Sequence, residues 1–184
     1  NPKAKIMAVD ISRARLDAMR RSFARDPHSV RIQCVLADVT DLPFRDDFDL
    51  ILCDTPCSGT GTLARNPEIK LRLAIEDLER QQQRQIAILR SAYHLLAPGG
   101  RLIYSTCSLE PEENSTIVES FLKEESSAGL LDMGERLNAM KQEGSLHPTG
   151  AELLHNHALC GRYLQTLPGV LPCDGFFAAI LTRS

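Results

Sequence analysis

Two cysteines and three aspartates in this chain stand where chemistry can be done. Asp54 and Cys57 lie in DTPCSGTGTLARNPEIK (54–70), directly after the apolar run FDLILC, and Cys107 lies in LIYSTCSLEPEEN (102–114). Thiols and a carboxylate on adjacent loops suggest nucleophilic attack on an electrophilic ring or carbonyl. Cys107 is the better nucleophile candidate, because it precedes a helix N-terminus whose partial positive charge favours a thiolate. By spacing alone, a buried inert cysteine is an equal alternative. No histidine is near either loop, so a Cys–His dyad would have to recruit His94, His147, His155 or His157 through the fold. Cys53 and Cys57 lack zinc-ligand spacing, and no Cys-x-x-Cys pair occurs, so no metal site is expected.

The elements that must position these residues alternate. KIMAV (5–9) reads as a strand ending at Asp10, and Ser12 caps a helix with Leu16, Met19 and Phe23 at helical spacing. Asp26-Pro27 breaks that helix; VRIQCVL (30–36) reads as a second strand ending in Ala37-Asp38, and FDLILC (48–53) as a third, buried on both faces. A long helix from about Ile75 to Ala97 carries Leu78, Ile86, Leu89, Tyr93 and Leu96, and Pro98-Gly99-Gly100 closes it. RLIYS (101–105) is a fourth strand, after which Pro111 and two glutamates favour the first turn of a helix bearing Ile117, Val118, Phe121 and Leu122. Residues 125–160 predict loops and at most a short helix. GRYLQTLPGVLP and GFFAAILT then read as two strands of an antiparallel hairpin at a sheet edge, with Phe176 and Phe177 in the core.

This pattern predicts an α/β doubly wound sheet, mostly parallel with a C-terminal antiparallel hairpin. Ligands of such sheets sit off the carboxyl ends of the strands. Asp10, Asp38, Asp54 and Cys107 all fall at or just beyond those ends. In a nucleotide-binding half, the acidic residue ending the second strand accepts ribose hydroxyls about 20 residues after a glycine-rich loop. Asp10 fits that place, which puts the loop and the first strand before residue 1; the alternative is a plain turn aspartate. Pro56 stiffens the loop after the third strand. Gly59 and Gly61 would admit close backbone approach to a ligand or simply make a tight turn. Arg65 and Lys70 on the same stretch are candidates for phosphate contacts.

At 184 residues and 43% hydrophobic content, one globular unit is the default. Net charge is −3, which excludes a global basic field, so any nucleic-acid partner has to be gripped by a local patch or another domain. Six scattered cysteines are no secreted disulfide framework, and no apolar run reaches membrane-spanning length; a reduced, cytoplasmic protein with no membrane partner is expected.

DTPCSGTGTLARNPEIK and LIYSTCSLEPEEN together resemble the paired signature of the S-adenosylmethionine-dependent RNA cytosine-5 methyltransferases of the RsmB/Sun and NOL1/NOP2 type. The likeness runs from VDISRARL through LADVTDL to CDGFFAAILTR, nearly the whole chain. It implies a Rossmann-like methyltransferase sheet and S-adenosylmethionine as cofactor. The substrate it implies is RNA, first ribosomal and next transfer RNA. On matching positions it implies that Asp10 holds the cofactor ribose, that Asp38 lies against the adenine, and that Asp54 sits near the methionine end and the target base. Cys107 would add to ring position 6 of cytosine, and Cys57 would assist release of the proton on carbon 5.

Members of that family carry a glycine-rich loop with a lysine upstream of the first aspartate, and an RNA-binding region before the catalytic domain. Residues 1–184 are therefore expected to be an N-terminally incomplete catalytic domain, lacking a central strand between those ending in Asp10 and Asp54. Two inner edges would be left unpaired, so either the sheet is closed some other way or a homodimer fills the gap. Two other functions fit the same residues: a non-catalytic RNA-binding or scaffold fragment of this fold, or an amino-group methyltransferase that needs no second thiol.

Overall fold

The run that ends in Asp10 is strand β1 (Ile6–Asp10), and the run that ends in Leu36 is β2 (Ile32–Leu36). The computed structural model describes residues 4–25, 32–44 and 47–184. The Asp26-Pro27 break and the start of the expected second strand lie outside the described residues. Contacts divide the chain into two compact units, residues 1–45 and 46–184.

In the first unit β1 and β2 pair in parallel, Ile6 opposite Ile32 and Asp10 opposite Leu36. Helix α1 (Arg13–Phe23) starts where expected: Ser12 has extended backbone and its side chain accepts from the Arg15 amide. Leu16, 1% exposed, is the buried residue of its apolar stripe.

The second unit is a six-stranded sheet. β3 (Phe48–Asp54) pairs in parallel with β4 (Leu96–Thr106). β4 pairs antiparallel with β8 (Phe176–Arg183), whose far side takes β7 (Tyr163–Thr166) along its first half and β5 (Ala128–Leu131) along its second. β6 (Leu159–Cys160) pairs with β7. The expected hairpin of β7 and β8 forms, but β8 runs inside the sheet instead of along its edge, because β4 uses its other side. The mostly parallel sheet expected from the alternation is mixed: two described pairs are parallel and four antiparallel. The residues expected to be loop hold β5 and two helices, α5 (Met133–Gln142) and α6 (Pro148–His157). Each has an ordinary start signal: Asp132 accepts from the Glu135 amide, and Pro148 sits in the first turn of α6.

Helices α3 (Ile75–His94) and α4 (Ser115–Glu124) pack the core, where Tyr93 meets Phe121 edge-on with ring centroids 5.0 Å apart. Phe177 is 2% exposed while Phe176 is 39% exposed, so alternation along β8 puts one phenylalanine in the core and its neighbour outside. No helix among the described residues is long and apolar enough to cross a membrane.

Among the described residues β1 pairs only with β2, and β3 only with β4. β3 is therefore an edge strand, with Leu50 and Leu52 62% and 67% exposed, whereas Leu102 on β4 is wholly buried. Neither leucine of β3 supports the present packing. Leu102→Ala is expected to cost about 2–5 kcal/mol in urea unfolding, while Leu52→Lys changes stability by less than about 0.5 kcal/mol.

Candidate active site

Asp54 ends β3 and is exposed; the Ser105 hydroxyl of β4 donates to it at 3.3 Å. The chain then turns away through Thr55, whose amide and hydroxyl both donate to the Ser105 carbonyl, at 2.9 and 3.0 Å. Three residues on, the Cys57 sulfur lies 3.3 Å from that of Cys107, within hydrogen-bond reach. Both thiols are half-buried. Burial first, then the hydrogen bond and the charge of Cys107, push the Cys57 thiol up to about 12. Cys53, buried on β3, is likewise pushed up to about 12 by its surroundings.

A web of polar contacts holds the two cysteine loops together. The Ser58 amide donates to both carboxylate oxygens of Glu113, at 2.8 and 3.1 Å, and its hydroxyl donates to one of them at 2.5 Å. Gln85 of α3 donates to Glu113 at 3.1 Å and to the Pro56 carbonyl at 2.9 Å. Ser108 meets Ser58 at 3.1 Å and Thr60 at 3.3 Å, and the Leu109 amide donates to Thr60 Oγ1 at 2.9 Å. Asn114 donates to the Ser108 carbonyl and accepts from Thr106. The eight buried polar or charged residues among those described are Thr55, Thr60, Gln85, Ser105, Thr106, Ser108, Glu113 and Asn114. Six of them belong to this web, and Thr55 and Ser105 bond each other at the start of the same loop, so the second unit concentrates its polar burial around the thiol pair.

Glu113 is the member that sequence reasoning missed. The two glutamates after Pro111 were expected to complement the dipole of a helix start. Residues Pro111–Glu113 instead form a short 3-10 turn before α4 begins at Ser115, and Glu113 points inward with no exposure. An inward carboxylate has no periodic signature; only its pairing with a loop 55 residues away reveals it.

Gly61 is packed between protein backbones. Its amide donates to the Cys107 carbonyl and its carbonyl accepts from the Gly175 amide, and an added Cβ would lie 2.3 Å from the Gly175 oxygen. Gly59 has φ of 75°, a left-handed backbone that favours glycine. Arg65, a phosphate candidate by sequence, is held by an ion pair to Asp174. His94, His147, His155 and His157 are exposed, and none hydrogen-bonds either thiol.

In the first unit, both Asp10 oxygens are engaged, one by the Ser12 amide at 2.7 Å and the other by Arg15 at 2.8 Å. Burial opposes ionisation of Asp10, but the Ser12 amide and the Arg15 guanidinium outweigh it and hold the carboxyl below its ordinary value. Asp38, at the exit of β2, accepts from the Thr40 amide and hydroxyl at 2.9 and 2.7 Å.

A family model described as 16S rRNA methyltransferase RsmB/F matches residues 1–182. Ribosomal RNA small subunit methyltransferase B of Xanthomonas campestris pv. campestris is 31% identical over 187 residues, covering 100% of this chain and 38% of that protein. The same-named protein of Klebsiella pneumoniae subsp. pneumoniae is 35% identical over 185 residues, covering 99% of this chain and 37% of its own length. The chain thus spans about two fifths of these curated relatives. Among solved structures, NSun6 from Pyrococcus horikoshii with SFG superposes with a TM-score of 0.75 at 26% identity, covering 99% of this chain and 42% of that one. A methyltransferase homolog protein from the same organism gives 0.73 at 27%, covering 100% and 54%.

Two measurements test this geometry. Glu113→Ala leaves the Ser58 amide without an acceptor and takes from Gln85 one of its two, and is expected to cost about 2–4 kcal/mol in denaturant unfolding; Glu113→Gln, which keeps one acceptor oxygen, costs less. A thiol at about 12 is ionised in roughly one part in ten thousand at pH 8. Iodoacetamide at that pH should therefore modify exposed Cys160 and Cys173 well before Cys57, with the difference vanishing in denaturant, as peptide mass spectrometry reads out. Because the folded value is raised, the contribution of Cys57 to stability is full below about pH 9 and is lost as pH rises toward 12.

Proposed function

The chain belongs to the 16S rRNA methyltransferase RsmB/F family, and from that premise we propose that it carries the catalytic cysteines of an RNA cytosine-5 methyltransferase. Ribosomal RNA is the substrate we favour, with transfer RNA next. The observation that supports this reading is the 3.3 Å approach of Cys57 to Cys107, two thiols brought from loops 50 residues apart. A methyltransferase of exocyclic amino groups has no use for such a pair, and a scaffold has none for either thiol.

Carbon 5 of cytosine is a weak nucleophile. Addition of the Cys107 thiolate to carbon 6 raises electron density at carbon 5, giving an enamine-like centre. Asp54, exposed at the exit of β3, is the group that hydrogen-bonds the ring nitrogen and stabilises the adduct. S-adenosylmethionine, the cofactor we infer, supplies the methyl group in a form open to nucleophilic attack. Once carbon 5 carries the methyl, its proton has to leave and the bond from Cys107 to carbon 6 has to break. Cys57 assists that release.

The acceptor chemistry in the first unit fits a nucleoside. Asp10 is kept ionised by its neighbours, and a carboxylate that already accepts from Ser12 and Arg15 has lone pairs left for ribose hydroxyls. The reading gives Asp10 the ribose, Asp38 the adenine and Asp54 a place near the methionine end.

The test is a trapped adduct. The enzyme with Cys57→Ala, incubated with ribosomal RNA and S-adenosylmethionine, should accumulate a protein–RNA species that survives denaturation, and Cys57→Ala/Cys107→Ala should form none. Methylation that persists without Cys107 would remove the covalent route.

A further inference from the structure

The net charge of −3 requires any grip on RNA to be local, and the second unit has a place for it. A cavity of about 490 Å³, within the range of ligand pockets, opens beside Cys57 and Ser58. Its other walls are α2 (Ile69–Arg72) with the residues around it and one face of α3, where Asp77, Arg80, Gln81 and Arg84 recur at helical spacing. Arg80 is tied to Asp77 by an ion pair. Arg72 and Arg84 have no carboxylate partner among the described residues, and both are exposed. Ile69 and Leu73, half-buried, give the same cavity an apolar patch.

We infer that this cavity is a nucleotide subsite, in which Arg72 and Arg84 bind phosphates of the RNA strand next to the reacting cytosine while Ile69 and Leu73 face its sugar or base. The inference rests on the reading of the chain as an RNA methyltransferase and adds a substrate contact to it. Three observations carry it. The cavity includes Cys57, so a nucleotide in it is a neighbour of the base being modified. Guanidinium groups bind phosphate oxygens through paired donors, and unpaired ones need not give up an ion pair to do so. Three arginines against Glu68 and Asp77 leave the wall positive, and its concave shape concentrates that field where the chain as a whole has none. By contrast Arg65 is paired with Asp174, and neither it nor Lys70 lines the cavity.

The test is the salt dependence of binding to a fluorescein-labelled, single-stranded, cytosine-containing oligoribonucleotide, read by anisotropy. Each phosphate neutralised contributes about 0.7 to the slope of log affinity against log salt for a single strand. Arg72→Ala/Arg84→Ala should flatten the slope by about 1.4 and weaken binding about tenfold or more at moderate salt. Lys123→Ala on α4, which removes a charge away from the cavity, should leave both unchanged. In the trapping reaction, the arginine changes added to Cys57→Ala should raise the RNA concentration for half-maximal adduct and leave the rate at saturation as it was. An unaltered slope in the double variant, or no salt-dependent binding by the parent chain, would overturn the subsite. Absence of the covalent adduct with the slope change intact would count against the methyltransferase chemistry and not against the subsite.

Discussion

The second unit depends on one buried carboxylate. Glu113 belongs to the segment that follows Cys107, yet it accepts from the amide and hydroxyl of Ser58, which follows Cys57. Loops that are far apart in sequence cost chain entropy to bring together. Bonds to a charged acceptor at low dielectric are strong enough to offset that, and leaving such an acceptor unmade would be expensive. The same carboxylate takes Gln85 from α3, so the helix, the two loops and the thiol pair are set by a single group. Removing it would loosen every one of these relations together.

Much of the fold was legible because its signals are local. Ser12 at the start of α1, the acidic ends of β1 and β3, and the apolar runs of β3 and β4 all follow from a few neighbouring residues. What failed was pairing. Whether β8 lies at an edge or in the interior is decided by β4, β5 and β7, none of which is readable from GFFAAILT itself. Helices α5 and α6 were missed because their stripes are short: Met133 and Leu137 are the buried residues of one and Ala151 of the other, too few to stand out as a period.

At the candidate site the legible part was the set of reactive types, and the illegible part was their support. Cys57, Cys107 and Asp54 are conspicuous because thiols and a carboxylate are unusual beside glycines. Gly61 was equally visible, but the close approach it permits is to the backbones of Cys107 and Gly175, a contact no spacing rule contains. The partner of an arginine is illegible for a related reason. Arg65 stands next to the motif in sequence, but an exposed cation is disposed of by whatever carboxylate the fold brings near, here Asp174. Arg72 and Arg84 meet at one cavity only because α2 and α3 both wall it.

The charge state of the thiol pair bears on the order in which the cysteines act. Two thiolates 3.3 Å apart would repel strongly in a half-buried site, so the pair holds one negative charge at most. Burial and the neighbouring Cys107 both favour the protonated form of Cys57. A protonated Cys57 can donate to the Cys107 sulfur, which under the proposed mechanism is the sulfur that attacks. Once Cys107 is bonded to carbon it is neither a charge nor a good acceptor, and of the effects that raised Cys57 only burial remains in force. Under the proposed mechanism the adduct removes the opposition of Cys107 to ionisation of Cys57, while burial, its largest cause, stays in force. The proposed order of action thus has Cys57 steady the nucleophile first and assist release of the carbon 5 proton only after Cys107 is bonded to the ring.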